Sequence, residues 1–134
     1  MRAYEIMIIF DVDAPDSAIT EVLQSLAAQV GERGRIMRSS LFDSSAQLVP
    51  FEIGSEVDYQ KGRRRFAYKI DHRMEGIYVV VEFVHDGVDL DRIERALRLA
   101  DPVVRHKLIR LPDDEAERRG MAPDDSAAAA AASS

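Results

Sequence analysis

No cysteine occurs among the 134 residues. That excludes disulfides, thiol catalysis and cysteine-ligated zinc, and it suits a reducing cytoplasm. No apolar run is long enough to span a bilayer. The start, Met1-Arg-Ala-Tyr-Glu5, runs directly into a strand pattern with an acid inside it, unlike a signal peptide. The expectation is a cytoplasmic protein. Patterns that carry catalysis are also missing. His72, His85 and His106 stand at no ligand spacing, and neither HExxH nor a Ser-His-Asp arrangement occurs. Gly31-Glu-Arg-Gly34 follows a helical pattern instead of opening one, so it cannot form a phosphate cradle. Asp11, Asp13 and Asp16 lack the twelfth-position glutamate of a calcium loop and read as turn and cap residues. No metal, no cofactor, no small-molecule substrate and no enzymatic activity are expected.

What is present is a single domain's length of chain with an uneven charge distribution. The net charge is −6, yet the tail from Pro112 onward accounts for most of it: Asp113, Asp114, Glu115, Glu117, Asp124 and Asp125 stand against Arg118 and Arg119. Residues 41–60 hold four acids and no lysine or arginine. Lys61, Arg63, Arg64, Arg65, Lys69 and Arg73 follow against the lone acid Asp71. A second basic stretch holds Arg92, Arg95, Arg98, Arg105, Lys107 and Arg110 against Glu94 and Asp101. Screening confines an ion's field to about 10 Å, so local clustering outweighs the acidic total in judging an anionic partner.

Hydrophobic periodicity supplies the architecture. Tyr4, Ile6, Ile8 and Phe10 alternate as a strand. Ile19, Val22, Leu23, Leu26 and Val30 form a helical stripe that ends at Gly31 and Gly34, with Asp13 or Asp16 as N-cap and Pro15 near the first turn. Strands are predicted over 35–41, 64–70 and 77–84, with a turn over 71–76. Asp89 is placed to cap a second helix carrying Leu90, Ile93, Leu97 and Ala100, and Asp101-Pro102 ends it. A last strand is predicted over 103–111. The order β-α-β-β-α-β is the split βαβ arrangement of the α+β class: a four-stranded antiparallel sheet with both helices on one face. Residues 39–60 do not fit the minimal version, but they are too apolar for a free linker and read as an ordered extension. The tail over 112–134, acidic and then Ala/Ser-rich, reads as disordered unless docked.

Three consecutive arginines at 63–65 have two readings. Charge on an edge strand blocks aggregation; alternatively the arginines contact RNA phosphates or a protein, with Arg64 and Arg65 pointing to opposite faces. Tyr4, Phe66, Tyr68, Tyr78 and Phe83 lie on predicted strands and could stack bases, though most read as core. In the third strand, only Val81-Glu-Phe83 fits the aromatic motif of an RNA recognition motif.

Four motifs in order carry a resemblance: Met-Arg-x-Tyr-Glu-Ile at the N-terminus, Gly62-x-Arg-Arg-Phe-Ala-Tyr68-x-Ile70, Glu75-Gly-Ile-Tyr78 and Leu97-Arg-x-x-Asp-x-Val-x-Arg105-His. The chain resembles the bacterial small-subunit ribosomal protein S6 family over nearly all of 1–38 and 61–111. The resemblance implies a ferredoxin-like fold over 1–111 and a structural component of the small ribosomal subunit. It also implies binding to the central domain of small-subunit ribosomal RNA beside ribosomal protein S18. On the matching positions, Arg2, Tyr4, Arg64, Arg65, His72, Arg73, Arg98 and Arg105 are the implied contacts to RNA or protein. The chain departs from the family where residues of about 39–60 interrupt a strand that is single in most members, and where Lys61 replaces a common aromatic. The rival class is a non-ribosomal ferredoxin-like regulatory or oligomerisation domain.

Overall fold

The computed structural model describes residues 1–70 and 72–121. Strand β1 (Arg2–Phe10) leads into helix α1 (Asp16–Gly31), and β2 (Gly34–Phe42) follows. The chain then forms β3 (Leu48–Phe51), a 3-10 turn at Tyr59–Gly62, β4 (Arg63–Ile70) and β5 (Arg73–His85). Helix α2 (Leu90–Leu99), β6 (Val103–Arg110) and α3 (Asp113–Arg118) complete it. One antiparallel sheet has the order β3-β2-β5-β1-β6, with β4 also paired to β5.

The period-2 alternation of β1 decides the layers. Tyr4, Ile6, Ile8 and Phe10 face the helices and join Ile77, Val79, Val81 and Phe83 of β5 in the core. Ile19, Leu23, Leu26 and Val30 of α1, with Ile93 and Leu97 of α2, close over them. The α+β ferredoxin-like arrangement with both helices on one face is therefore present. Pro15 stands at the N-cap of α1 and neither Asp13 nor Asp16 caps it; instead the Asp11 carboxylate accepts the Asp13 N–H at 2.9 Å. Asp89 does stand before α2, but in the left-handed region with no side-chain cap bond.

The sheet has six strands where four were expected, because the second strand is split. Residues 34–41 pair with 79–85 of β5, and Arg63, Arg64 and Arg65 then pair with Ile77, Gly76 and Glu75. So β2 and β4 lie end to end along one edge of β5, and the extra material is residues 43–62. It folds back as β3 against Ser39–Phe42. It is pinned by Tyr59, 1% exposed, whose hydroxyl lies 2.9 Å from that of Thr20 on α1. The predicted turn over 71–76 is also shorter. Ile70 pairs with Arg73, leaving a two-residue connection, and the register slips between Arg65 and Ile70. The chain spends that slip on an exposed arch carrying Tyr68.

The first part of the tail is docked. Residues 113–118 are helical, and Ala116 and Met121 pack with Ala3 and Leu111 on the sheet face away from α1 and α2. Two apolar side chains dock a segment whose composition is otherwise charged. The expectation for 122–134 lies outside the described residues.

Candidate nucleic-acid interface

The face opposite the two long helices is built in rows by strand register. Glu5 pairs with Glu82 and Ile109; Met7 with Val80 and Lys107; Ile9 with Tyr78 and Arg105. The rows differ in chemistry from one end to the other.

At one end two carboxylates stand opposite each other. Such a pair is unfavourable unless neutralised. Arg119, beyond α3, reaches Glu5 at 2.8 Å, Glu82 at 3.2 Å and Glu115 at 2.7 Å. Arg38 adds a two-pronged contact to Glu82 at 2.6 and 3.1 Å. Burial pushes the Glu82 carboxyl up, but the hydrogen bonds and charges of Arg38 and Arg119 outweigh it and hold it below the ordinary value.

At the other end the floor is aromatic. Phe66 and Tyr78 lie 6.1 Å apart and Phe42 and Tyr78 6.5 Å apart, centroid to centroid. The Arg64 guanidinium sits over Phe42 at 4.0 Å and near Tyr78 at 5.3 Å. Gly76 makes the floor possible, because a Cβ there would lie 2.4 Å from Ile9 and 2.9 Å from the Phe66 ring. Among the described residues, Arg64, Arg105 and Lys107 form no ion pair. Residues 3–32 and 39–60 contain no lysine or arginine.

The residues singled out from sequence scatter over this frame. Arg64 and Arg105 share the face away from the long helices, as register places them. Arg65 is exposed on the opposite side of β4. Arg2 is exposed at the start of β1, at the far end of the sheet beside His85. His72 is exposed in the β4–β5 turn with φ 65. Arg73 contacts Asp11 at 3.0 Å. Arg98 is exposed in the last turn of α2. Tyr4 is only 6% exposed, stacked on Phe83 at 5.4 Å in the core. Phe83, the aromatic of the partial RNA-recognition motif, is fully buried on the helix side. Phe42 and Lys107 belong to the cationic region and were not singled out. Joining β2 to β4 as one strand would have brought Phe42 beside Arg64; the parity of β6 would have added Lys107 to Arg105.

A family model described as ribosomal protein S6 matches residues 39–110. The chain belongs to the ribosomal protein S6 family. Among S6 relatives, the small ribosomal subunit protein bS6 of Corynebacterium kroppenstedtii is 32% identical over 111 residues, covering 82% of this chain and 97% of that protein. The bS6 protein of Desulforamulus reducens is 27% identical over 110 residues with the same coverages. The crystal structure of 30S ribosomal protein S6 from Thermotoga maritima superposes with a TM-score of 0.66 at 26% identity, covering 89% of this chain and 95% of that one. The S6 assignment places the chain among structural proteins of the small ribosomal subunit, and no helix among the described residues is long and apolar enough to cross a membrane.

Proposed function

We propose that this S6-family chain is a non-catalytic assembly protein that binds the central domain of small-subunit ribosomal RNA together with ribosomal protein S18, in the cytoplasm. The observation that carries the reading is the separation of charge within an S6 fold. Among the described residues Arg64, Arg105 and Lys107 form no ion pair on one face, while α1 and residues 43–60 carry acids and no lysine or arginine. A field of this shape turns one side of the molecule toward a polyanion although the whole is acidic. Arg2, Arg65, His72, Arg73 and Arg98 are proposed as contacts at the periphery, to RNA or to S18. Tyr4 acts through the core, by holding β1 and β5 in register.

The mechanism is electrostatic and shape-based. Cations neutralise phosphates at a folded junction, and a protein neighbour enlarges the joint surface so that each binding event favours the other. Sedimentation of a cell lysate through sucrose at low and high salt tests this. Cosedimentation with small subunits, weakened by salt, is expected. Absence from ribosomal fractions at low salt refutes the reading.

A further inference from the structure

Resting on the RNA-binding reading above, we propose that the Phe42–Arg64–Tyr78 cluster is a stacking platform for a single unpaired nucleobase. The flanking phosphates of that nucleotide are taken by Arg105 and Lys107.

The argument begins with how Arg64 is held. This arginine is half-buried and forms no ion pair among the described residues; Asp43 acts on it only at a distance, and the Phe42 ring holds it, with the guanidinium carbon 4.0 Å from the ring centroid. A planar cation lying on a ring has one face occupied, and its other face suits a second flat group. Guanidinium planes and aromatic rings are the surfaces on which splayed bases of single-stranded RNA stack. The floor beneath is made of packed rings. Phe66 lies across Gly76, and Phe42 and Phe66 flank Tyr78. One strand, β1, separates Tyr78 from further cations: Tyr78 is opposite Ile9, and Ile9 is opposite Arg105. From the Arg64 strand to the Arg105 strand is three strand spacings, roughly 14 Å between backbones, a span that two long side chains and a nucleotide with its flanking phosphates can bridge. Lys107 is the next residue on the same face of β6.

The chemistry favours RNA over an acidic protein segment. Packing against Phe42 leaves the N–H edges of Arg64 open to an anion of either kind, so what discriminates is the presence of flat surfaces beside the charge. Here a ring face is what orients the group, and flat rings continue beside it. The acids on α1 and in the insertion also leave this face as the side toward which a polyanion is steered.

The test uses the full chain and a single-stranded RNA hexamer with a central 2-aminopurine, whose fluorescence falls on stacking, against a duplex of the same sequence. The wild type is expected to quench the single strand saturably and to bind the duplex without quenching. Arg64→Lys keeps the charge and removes the plane; it should abolish quenching and weaken single-strand binding about tenfold. Phe42→Leu should do the same with the fold intact by circular dichroism. Arg105→Gln should weaken binding and leave quenching in place. Unchanged quenching in Arg64→Lys, or duplex binding as tight as single-strand binding with no quenching of either, overturns the platform. If Arg64→Lys loses S18 binding while quenching persists, the cluster serves a protein and the proposal falls. Binding of central-domain ribosomal RNA without any quenching of the hexamer refutes the platform alone; failure to bind any RNA at low salt, with or without S18, refutes the RNA reading as well.

Discussion

Arg119 and Arg64 stand on the same face of one sheet and are held in opposite ways. Arg119 is locked between three carboxylates, one of them on Glu82, whose side chain is 2% exposed. Arg64 rests on aromatic rings and forms no ion pair among the described residues, although the Asp43 carboxylate lies within its electrostatic reach. The difference separates structural charge from available charge. A carboxylate pair across β1 and β5, with Glu82 buried and Glu5 partly so, needs its cation, so Arg119 is consumed in fastening α3 to the sheet. An arginine on a ring gains a smaller and less directional attraction, and its charge remains to be used.

The largest effect expected from breaking this contrast is Arg119→Ala. It leaves Glu5 facing Glu82 with only Arg38 in compensation and should cost about 2–3 kcal/mol in urea unfolding. Amides over 113–118 should exchange faster while single-stranded RNA affinity stays as it was. A cost near zero would mean that α3 is held by Ala116 and Met121 alone.

Acid should expose the same pairing. The folded Glu82 carboxyl titrates below its ordinary value of 4.5, so its stabilisation is present above that pH and is lost as the pH falls through the folded value. Wild-type stability should therefore decline more steeply below about pH 4.5 than that of Arg119→Ala, in denaturant titrations at stepped pH. Parallel curves would show that Arg119 does not set the Glu82 proton affinity.

Arg64→Ala should cost under about 1 kcal/mol, the scale of an exposed cation–ring contact, while RNA affinity falls. If Arg64→Ala destabilises as much as Arg119→Ala, the contrast between the two arginines is wrong. The smallest effect belongs to Arg105→Gln, with stability within about 0.5 kcal/mol. Its signature is a reduction of about one in the slope of log affinity against log salt.

Much of the fold was legible in local pattern. The alternation of Tyr4, Ile6, Ile8 and Phe10 named the core face of β1, and the stripe from Ile19 to Val30 named the buried side of α1. The same alternation already put Tyr4 with the core; its expected place near RNA came from the family motif, and the ring lies under the helices. The interface was less legible because its parts are distant along the chain. Phe42 and Arg64 are separated by the insertion, and only the shared pairing of β2 and β4 with β5 makes them neighbours. Arg119 lies in a charged run that reads as solvated tail, and nothing local to it points to Glu5.

The amino-acid sequence by itself determined the β-α-β-β-α-β framework, the buried side of β1 and of the two long helices, the absence of thiol chemistry and the family. These follow from periodicity, composition and motif order, which act over a few residues or are read directly from the chain. Tertiary structure decided which charges are spent and which are free. That depends on strand register and on where α3 lands, so it is set by contacts between residues far apart in the chain: Glu5 with Arg119, and Phe42 with Arg64.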